Sequence, residues 1–500
     1  MVELNSTHLQ ILSMAIFIVI LWLTTKTKPS NAFPPGNRWL PLIGETLSFL
    51  KPHQSNSVGH FMEDRISSDW DCRYGKIFSS SLLGREAIVS ANVEFNRFVQ
   101  NNEGKLFATA WLPTFQGLFG RESIAFLSGE SHKRLRSVYL KFLCMKRLQT
   151  VFLADADYLA SCIVNSWKNG SIISAKEESV KYSLQIMTMN TLSIRKDDWL
   201  MEMLLTDYSY VISAICSVPI NFPGLKYWKA LKARRNVLKI LRKIMKDRIT
   251  LMSKDVEDGK EEAENHLKAE GRTKSDYDLL DLLLMKRAEF SNEVIEDFIF
   301  GSIFAGHDST SRAIAFMLYL LADSPQVVKR LQEEHLQIVK SKSKLDRKLS
   351  WEDYRNMEFS KCVVNETLRL SNVAPFIPRM TTEEVKYKGF VIPKGNLVVA
   401  HMCAVHLDPS NHDNPMDFNP WRWMGPNCEK TKKGYMAFGG GARKCPGENL
   451  ALLEMVIFLH HAILNYEWEI ADKDLPMHLP YLEFPKGLPL RVHATQRLND

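Results

Sequence analysis

The segment Phe438-Gly439-Gly440-Gly441-Ala442-Arg443-Lys444-Cys445-Pro446-Gly447 constrains this chain more than any other stretch of it. It is a glycine loop carrying one cysteine, and it matches F-x-x-G-x-R-x-C-x-G at every fixed position. Average residue frequencies place such a match in a random chain of this length on the order of one time in 10^4, which excludes chance. Glycines let the backbone wrap closely around a ligand atom without Cβ clashes. A helix is expected to begin near Glu448, so Cys445 stands just ahead of its positive end, where amides favour a thiolate. The bland alternative is a glycine loop around a buried free thiol.

The other seven cysteines (Cys72, Cys144, Cys162, Cys216, Cys362, Cys403, Cys428) are scattered, with no C-x-x-C pair. That spacing argues against a secreted disulfide scaffold or a zinc site and reads as small buried hydrophobes in a reducing compartment. Five hundred residues that are 45% hydrophobic can bury a core large enough to enclose a cofactor and an apolar ligand. The net charge of +7 is too diffuse for nucleic acid and fits a membrane surface or an acidic partner.

An apolar run spans residues 9–23, interrupted by Gln10 and Ser13, and with Thr24 and Thr25 it reaches the short end of a membrane span. Glu3 precedes it, no basic residue does, and no small-x-small cleavage site follows, so it reads as an uncleaved anchor rather than a signal peptide. Lys26 and Lys28 after the run keep the body cytosolic. We expect an anchor over 1–28, a Pro/Gly-rich hinge over 29–45 and one body over 46–500, placed on the endoplasmic reticulum membrane by a single pass.

Within the body, 76–90 reads as a β-hairpin around Gly84-Arg85, and the periodicity from about 92 to 370 is helical. Residues 227–252 form a basic amphipathic helix, and 253–275 a polar, mobile connection. Short strands are expected at 384–392 and 397–401, then a helix near 448–465. The longest pattern, 291–322, starts at Ser291 as cap, stops before Pro325, and would span about 48 Å. Its middle reads Ala305-Gly306-His307-Asp308-Ser309-Thr310. Glycine in a helix interior costs roughly 1 kcal/mol against alanine, so Gly306 needs a reason. Glu366-Thr367-Leu368-Arg369 sets an acid and a base one turn apart, and Phe418-Asn419-Pro420-Trp421-Arg422-Trp423 follows downstream.

With the cysteine loop, these segments resemble the cytochrome P-450 family over essentially the whole chain. The resemblance implies a mainly α fold with a small β region around haem b, and Cys445 as axial ligand to its iron, where a thiolate favours O–O cleavage. It implies that Asp308 and Ser309 relay protons, with serine where threonine is usual, and that Thr310 is the alternative hydroxyl. Glu366, Arg369 and Arg422 take the family's structural triad. His132, Arg136, Arg379 and Arg443 take the propionate positions, and Phe438 and Gly447 frame the cofactor. The chain holds no Walker loop and no G-x-G-x-x-G after a strand, so electrons for dioxygen chemistry come from NADPH through a separate reductase. Lys133, Arg134, Lys432, Lys433 and Lys444 would steer that partner, NADPH-cytochrome P-450 reductase.

The stretches Ser217-Val218-Pro219-Ile220-Asn221-Phe222-Pro223-Gly224 and Lys229-Ala230-Leu231-Lys232-Ala233-Arg234 are similar to the plant clan that oxidises sterols, brassinosteroid precursors, triterpenoids and gibberellin precursors. Val405-His406-Leu407-Asp408 is most like the brassinosteroid C-22 hydroxylases, whereas Ser371-Asn372-Val373-Ala374-Pro375-Phe376 departs from them. The candidate pocket residues are Trp111, Leu112, Phe115, Phe119, Phe304, Ala305, Ala374 and Phe376, an apolar set suited to a sterol-sized substrate. Residues 220–222 are placed to dip into the bilayer. The expected function is therefore side-chain hydroxylation of a steroid. The alternatives are a triterpenoid or diterpenoid oxidase of the same fold, or a non-catalytic membrane protein holding haem or sterol.

Overall fold

The computed structural model describes residues 14, 32–36, 44–66, 74–194, 198–257, 277–342, 348–426 and 428–495, without the side chains of 198 and 253–257. The expected anchor, Met14 apart, lies outside the described residues, as does the polar connection beyond residue 257. Among the described residues no helix is long and apolar enough to cross a membrane.

Helices dominate, and the helix Asn292–Ala322 runs through their centre. Ser291 starts it by accepting a hydrogen bond from the Val294 N–H at 3.3 Å. Every residue from 310 to 318 is buried, as are nearly all from 295 to 303, while Ala305 and Ser309 between them are exposed. One helical turn apart, they form an open strip on a helix otherwise enclosed from residue 295 onward. The helix Ala175–Leu192 packs across it. A Cβ on Gly306 would lie 2.3 Å from the Met187 sulfur, which is the packing reason for glycine at that point. Ser183 donates to the His307 carbonyl at 3.1 Å from the same helix.

The main sheet has five strands in the spatial order Ile77–Leu82, Arg85–Ser90, Leu397–His401, Phe376–Thr381, Phe107–Thr109. Its first two strands form the expected hairpin, in register from Leu82 opposite Arg85, and its turn residues Leu83 and Gly84 both have positive φ. Arg85–Ser90 pairs parallel with Leu397–His401, joining residues three hundred positions apart in a way no local pattern announces. The strand Phe376–Thr381 and the C-terminal pair Tyr466–Ile470 and Pro489–Ala494 were not expected from the sequence. All three are short, and their partners are distant. The region 384–392 is a tight hairpin of Val385–Tyr387 and Phe390–Ile392.

The described part of the Pro/Gly-rich segment is fastened to the edge of the main sheet and to the separate hairpin over 385–392. Ser79 N–H donates to the Pro35 carbonyl at 2.7 Å, and Val391 N–H to the Ala32 carbonyl at 2.7 Å. A side chain at Gly36 would place its Cβ 1.8 Å from the Ser79 carbonyl oxygen, so only glycine permits this approach. The cysteine loop is seated in the same manner against the end of the helix Val93–Asn101. A Cβ on Gly441, at φ +64°, would stand 2.1 Å from the Gln100 carbonyl oxygen.

Candidate active site

Cys445 closes its loop by donating its N–H to the Phe438 carbonyl at 2.9 Å, and Lys444 donates to Gly441 at 3.1 Å. Gly447 caps the helix Glu448–Asn465, so the sulfur does stand at a helix N-terminus. The thiol is open on one side and enclosed on the others. Burial pushes its pKa up, the Gly447 N–H pulls it down, Glu448 raises it, and Arg136 and Lys444 lower it.

Beside the loop stands a cluster of cations. Arg136 donates to the Lys444 carbonyl at 2.7 Å. Arg443 donates to Glu103 Oε1 at 2.8 Å and to the carbonyls of Ile124 at 3.1 Å and Ala125 at 3.3 Å. Arg379 forms an ion pair with the other oxygen of Glu103. Sequence reading missed Glu103, because a lone acid after a helix carries no spacing signal. His132 is buried, and its pKa is pushed down to about 4 by burial first, then by Arg443 and Arg136. His132 thus stands within the same cluster as the three arginines.

On the central helix, Ser309 Oγ donates to the Ala305 carbonyl at 3.1 Å on the open strip. Thr310 is buried in the core and does not share that strip. Asp308 Oδ1 accepts from Arg312 Nε at 2.9 Å, one turn on. Arg312 lies 3.7 Å from Glu483, which is itself paired with Lys176. The acid is thus the inner end of a chain of charges, of which Arg312, Glu483 and Lys176 were not foreseen.

The aromatic residues among the candidate pocket positions fall into two groups. Trp111 stacks on Phe115 with centroids 4.7 Å apart, Phe115 on Phe119 at 4.3 Å, and Phe119 meets Phe304 at 4.5 Å. Leu112 starts the short helix Pro113–Phe119 that carries this column, and Phe119 is buried within the core. Phe376 belongs to a second group with Phe49 at 5.1 Å and Tyr481 at 6.2 Å, and Ala374 is exposed nearby in the chain.

Glu366 and Arg369 are wholly buried and joined by two hydrogen bonds, at 2.9 and 2.8 Å. Arg422 donates to the same carboxylate at 2.8 Å, the Asn419 N–H at 3.1 Å and the Trp423 indole at 3.0 Å. Burial pushes Glu366 up, but Arg369 and Arg422 outweigh it and hold the carboxyl below its ordinary range. Arg369 also donates to the carbonyls of His406 at 2.9 Å and Pro415 at 2.7 Å.

The family model described as Cytochrome P450 matches residues 34–486. This chain belongs to the cytochrome P-450 family. It is 39% identical over 488 residues to a cholesterol 22-monohydroxylase of Paris polyphylla, covering 97% of this chain and 99% of that one. It is 40% identical over 489 residues to a cholesterol 22-monohydroxylase of Trigonella foenum-graecum, covering 96% and 95%. A steroid (22S)-hydroxylase of Brachypodium distachyon is 40% identical over 464 residues, covering 92% and 87%. The solved structure of retinoic acid bound cyanobacterial CYP120A1 shares the fold at a TM-score of 0.79 and 22% identity, over 93% of this chain and 100% of that one. The activity class is therefore that of a cytochrome P-450 monooxygenase, mainly helical with a small β region. The family implies haem b, dioxygen and electrons from a reductase. The residues present fit the haem: one open thiol at a helix N-terminus lies beside three arginines set against a single carboxylate, which suits a dianionic group.

Proposed function

We propose that this P-450 hydroxylates the side chain of a steroid, at the position corresponding to C-22. The observation that carries this reading is the match of about 40% identity, over nearly the whole of both chains, to enzymes named as cholesterol 22-monohydroxylases and steroid (22S)-hydroxylases. The aromatic column from Trp111 to Phe304 supports it, because an apolar wall beside the open strip of the central helix suits a rigid ring system with few polar groups.

In this reading Cys445 ligates the iron, and Phe438 and Gly447 shape the loop around it. Arg136, Arg379 and Arg443 would receive the propionates, with His132 beside them. When bound, the haem supplies the reduction of dioxygen, in which two electrons and two protons make one atom water and the other enters a C–H bond. Asp308 holds and passes the proton at its carboxylate, anchored by Arg312 so that its orientation is set before reaction. Ser309 Oγ is the hydroxyl on the open strip. Glu366, Arg369 and Arg422 specify the fold on the thiolate side rather than turnover.

The anchor over 1–28, the segment 29–45 and the body 46–500 belong to the same proposal, with the endoplasmic reticulum membrane as location. The exposed Val218, Ile220 and Phe222 ahead of the basic helix Lys226–Glu257 support contact with a bilayer. Electrons come from NADPH through cytochrome P-450 reductase.

The test is a product assay in microsomes carrying the chain and a plant reductase, with NADPH and cholesterol or campesterol, read by mass spectrometry. A side-chain alcohol that requires NADPH and disappears in Cys445→Ala is the expected result. A normal ferrous–CO spectrum without product from either sterol would count against the steroid reading and favour a triterpenoid substrate.

A further inference from the structure

We propose that Glu103 is a positioning residue for the cofactor: its buried carboxylate clasps Arg379 and Arg443 together and sets the net charge that the haem propionates meet. The inference rests on the assignment of those arginines to the propionates.

The three residues come from separate parts of the chain. Glu103 follows the helix Val93–Asn101, Arg379 lies on the sheet strand Phe376–Thr381, and Arg443 precedes Cys445 by two positions. Arg443 donates to Glu103 Oε1 at 2.8 Å, while Arg379 pairs with Oε2, so one carboxylate spans both guanidinium groups. Neither arginine is free to reorient. Arg379 is also held by the Pro378 carbonyl at 2.8 Å, and Arg443 by the Ile124 and Ala125 carbonyls at 3.1 and 3.3 Å. The Glu103 segment also packs closely on the cysteine loop, where a Cβ on Gly441 would stand 2.1 Å from the Gln100 carbonyl oxygen. The position of Glu103 is therefore coupled to that of the thiol through backbone.

Two guanidinium groups that approach each other, one buried and one half-buried, need an acid between them. Burial lowers the Arg379 pKa, Glu103 raises it, and Arg443 lowers it again, which reports mutual repulsion held in check by one carboxylate. The local balance is telling. Arg136, Arg379 and Arg443 are positive, Glu103 is negative, and Lys444 is matched by Glu448. The excess is two positive charges, which equals the two carboxylates of haem b. Removing the Glu103 charge alone would leave one cation uncompensated near the iron, and a nearby positive charge favours the ferrous over the ferric state.

The test uses the haem-loaded full chain in detergent, with midpoint potential and rate of haem transfer to apomyoglobin as readouts. Glu103→Gln is expected to move the potential in the positive direction. Arg379→Gln is expected to move it in the negative direction and to speed haem transfer at least tenfold. A wild-type potential in Glu103→Gln, alongside a shifted Arg379→Gln, overturns the role of Glu103 while leaving the propionate assignment standing. No shift in either variant overturns both. Should Glu103→Gln fail to retain haem, Glu103→Asp carries the test, since it keeps the charge and shortens the reach. Haem transfer several-fold faster at an unchanged potential is then expected, and wild-type transfer kinetics overturn the proposal.

Discussion

Arg422 Nε lies 2.8 Å from Glu366 Oε1, on a carboxylate that Arg369 already grips from one helical turn away. Glu366 and Arg369 are fully buried, and the Arg422 side chain is nearly so. Such an arrangement gains little over an apolar replacement of all three, but it is costly to break at one member, because the remaining charges are stranded. Replacing Glu366 by Gln leaves two facing guanidinium groups in the interior and is expected to cost about 3–5 kcal/mol. Thermal unfolding should fall sharply, with loss of soluble haem-loaded protein. A melting temperature close to wild type would show that the triad is dispensable.

The open strip separates the roles of three neighbouring polar residues. Asp308 is anchored by Arg312, Ser309 is exposed, and Thr310 is buried. Asp308→Asn keeps the shape and removes the proton-accepting group, so turnover is expected to fall by about 10²-fold with substrate binding little changed. Ser309→Thr restores a β-methyl that restricts the side chain and should raise product formed per NADPH while lowering peroxide release. Thr310→Val should leave that ratio unchanged. A drop in coupling for Thr310→Val equal to that for Ser309→Ala would contradict the assignment of the hydroxyl.

Acid sensitivity follows from histidines buried as neutral rings. His335 accepts from or donates to Ser360 at 3.1 Å and His460 at 3.0 Å, and burial, with His461 adding, pushes its pKa down to about 3. Because the folded value is below the unfolded one near 6.5, this contribution to stability is intact above about pH 6.5. It is lost at about 1.4 kcal/mol per pH unit as the pH falls towards 3. Unfolding measured between pH 7 and pH 4 should show His335→Gln less stable at pH 7 but with a shallower decline on acidification. An unchanged slope would mean that this histidine does not drive the acid limb.

The readable parts of the site were those whose chemistry lies within one turn or one loop. The glycines and Cys445 sit inside ten residues, Glu366 and Arg369 are three apart, and the 291–322 pattern announced its cap and its stop. Local geometry dictates such features, so spacing alone exposes them. Gly306 stood out as an anomaly in a helix, but its cause, the Met187 side chain on a crossing helix, was not visible in sequence.

What the sequence determined by itself was the cysteine loop, the helical character of most of the chain and the order of its motifs. Tertiary structure alone decided which polar groups meet. Glu103 and Arg443 are 340 positions apart, and Arg312 reaches a carboxylate beyond residue 480. An ion pair between distant residues has no period and no spacing. It exists only because sheet register and helix packing bring the two charges into one low-dielectric volume, where leaving either unmatched is costly. The same packing turned Thr310 inward, left Ser309 open, and buried His132 among arginines.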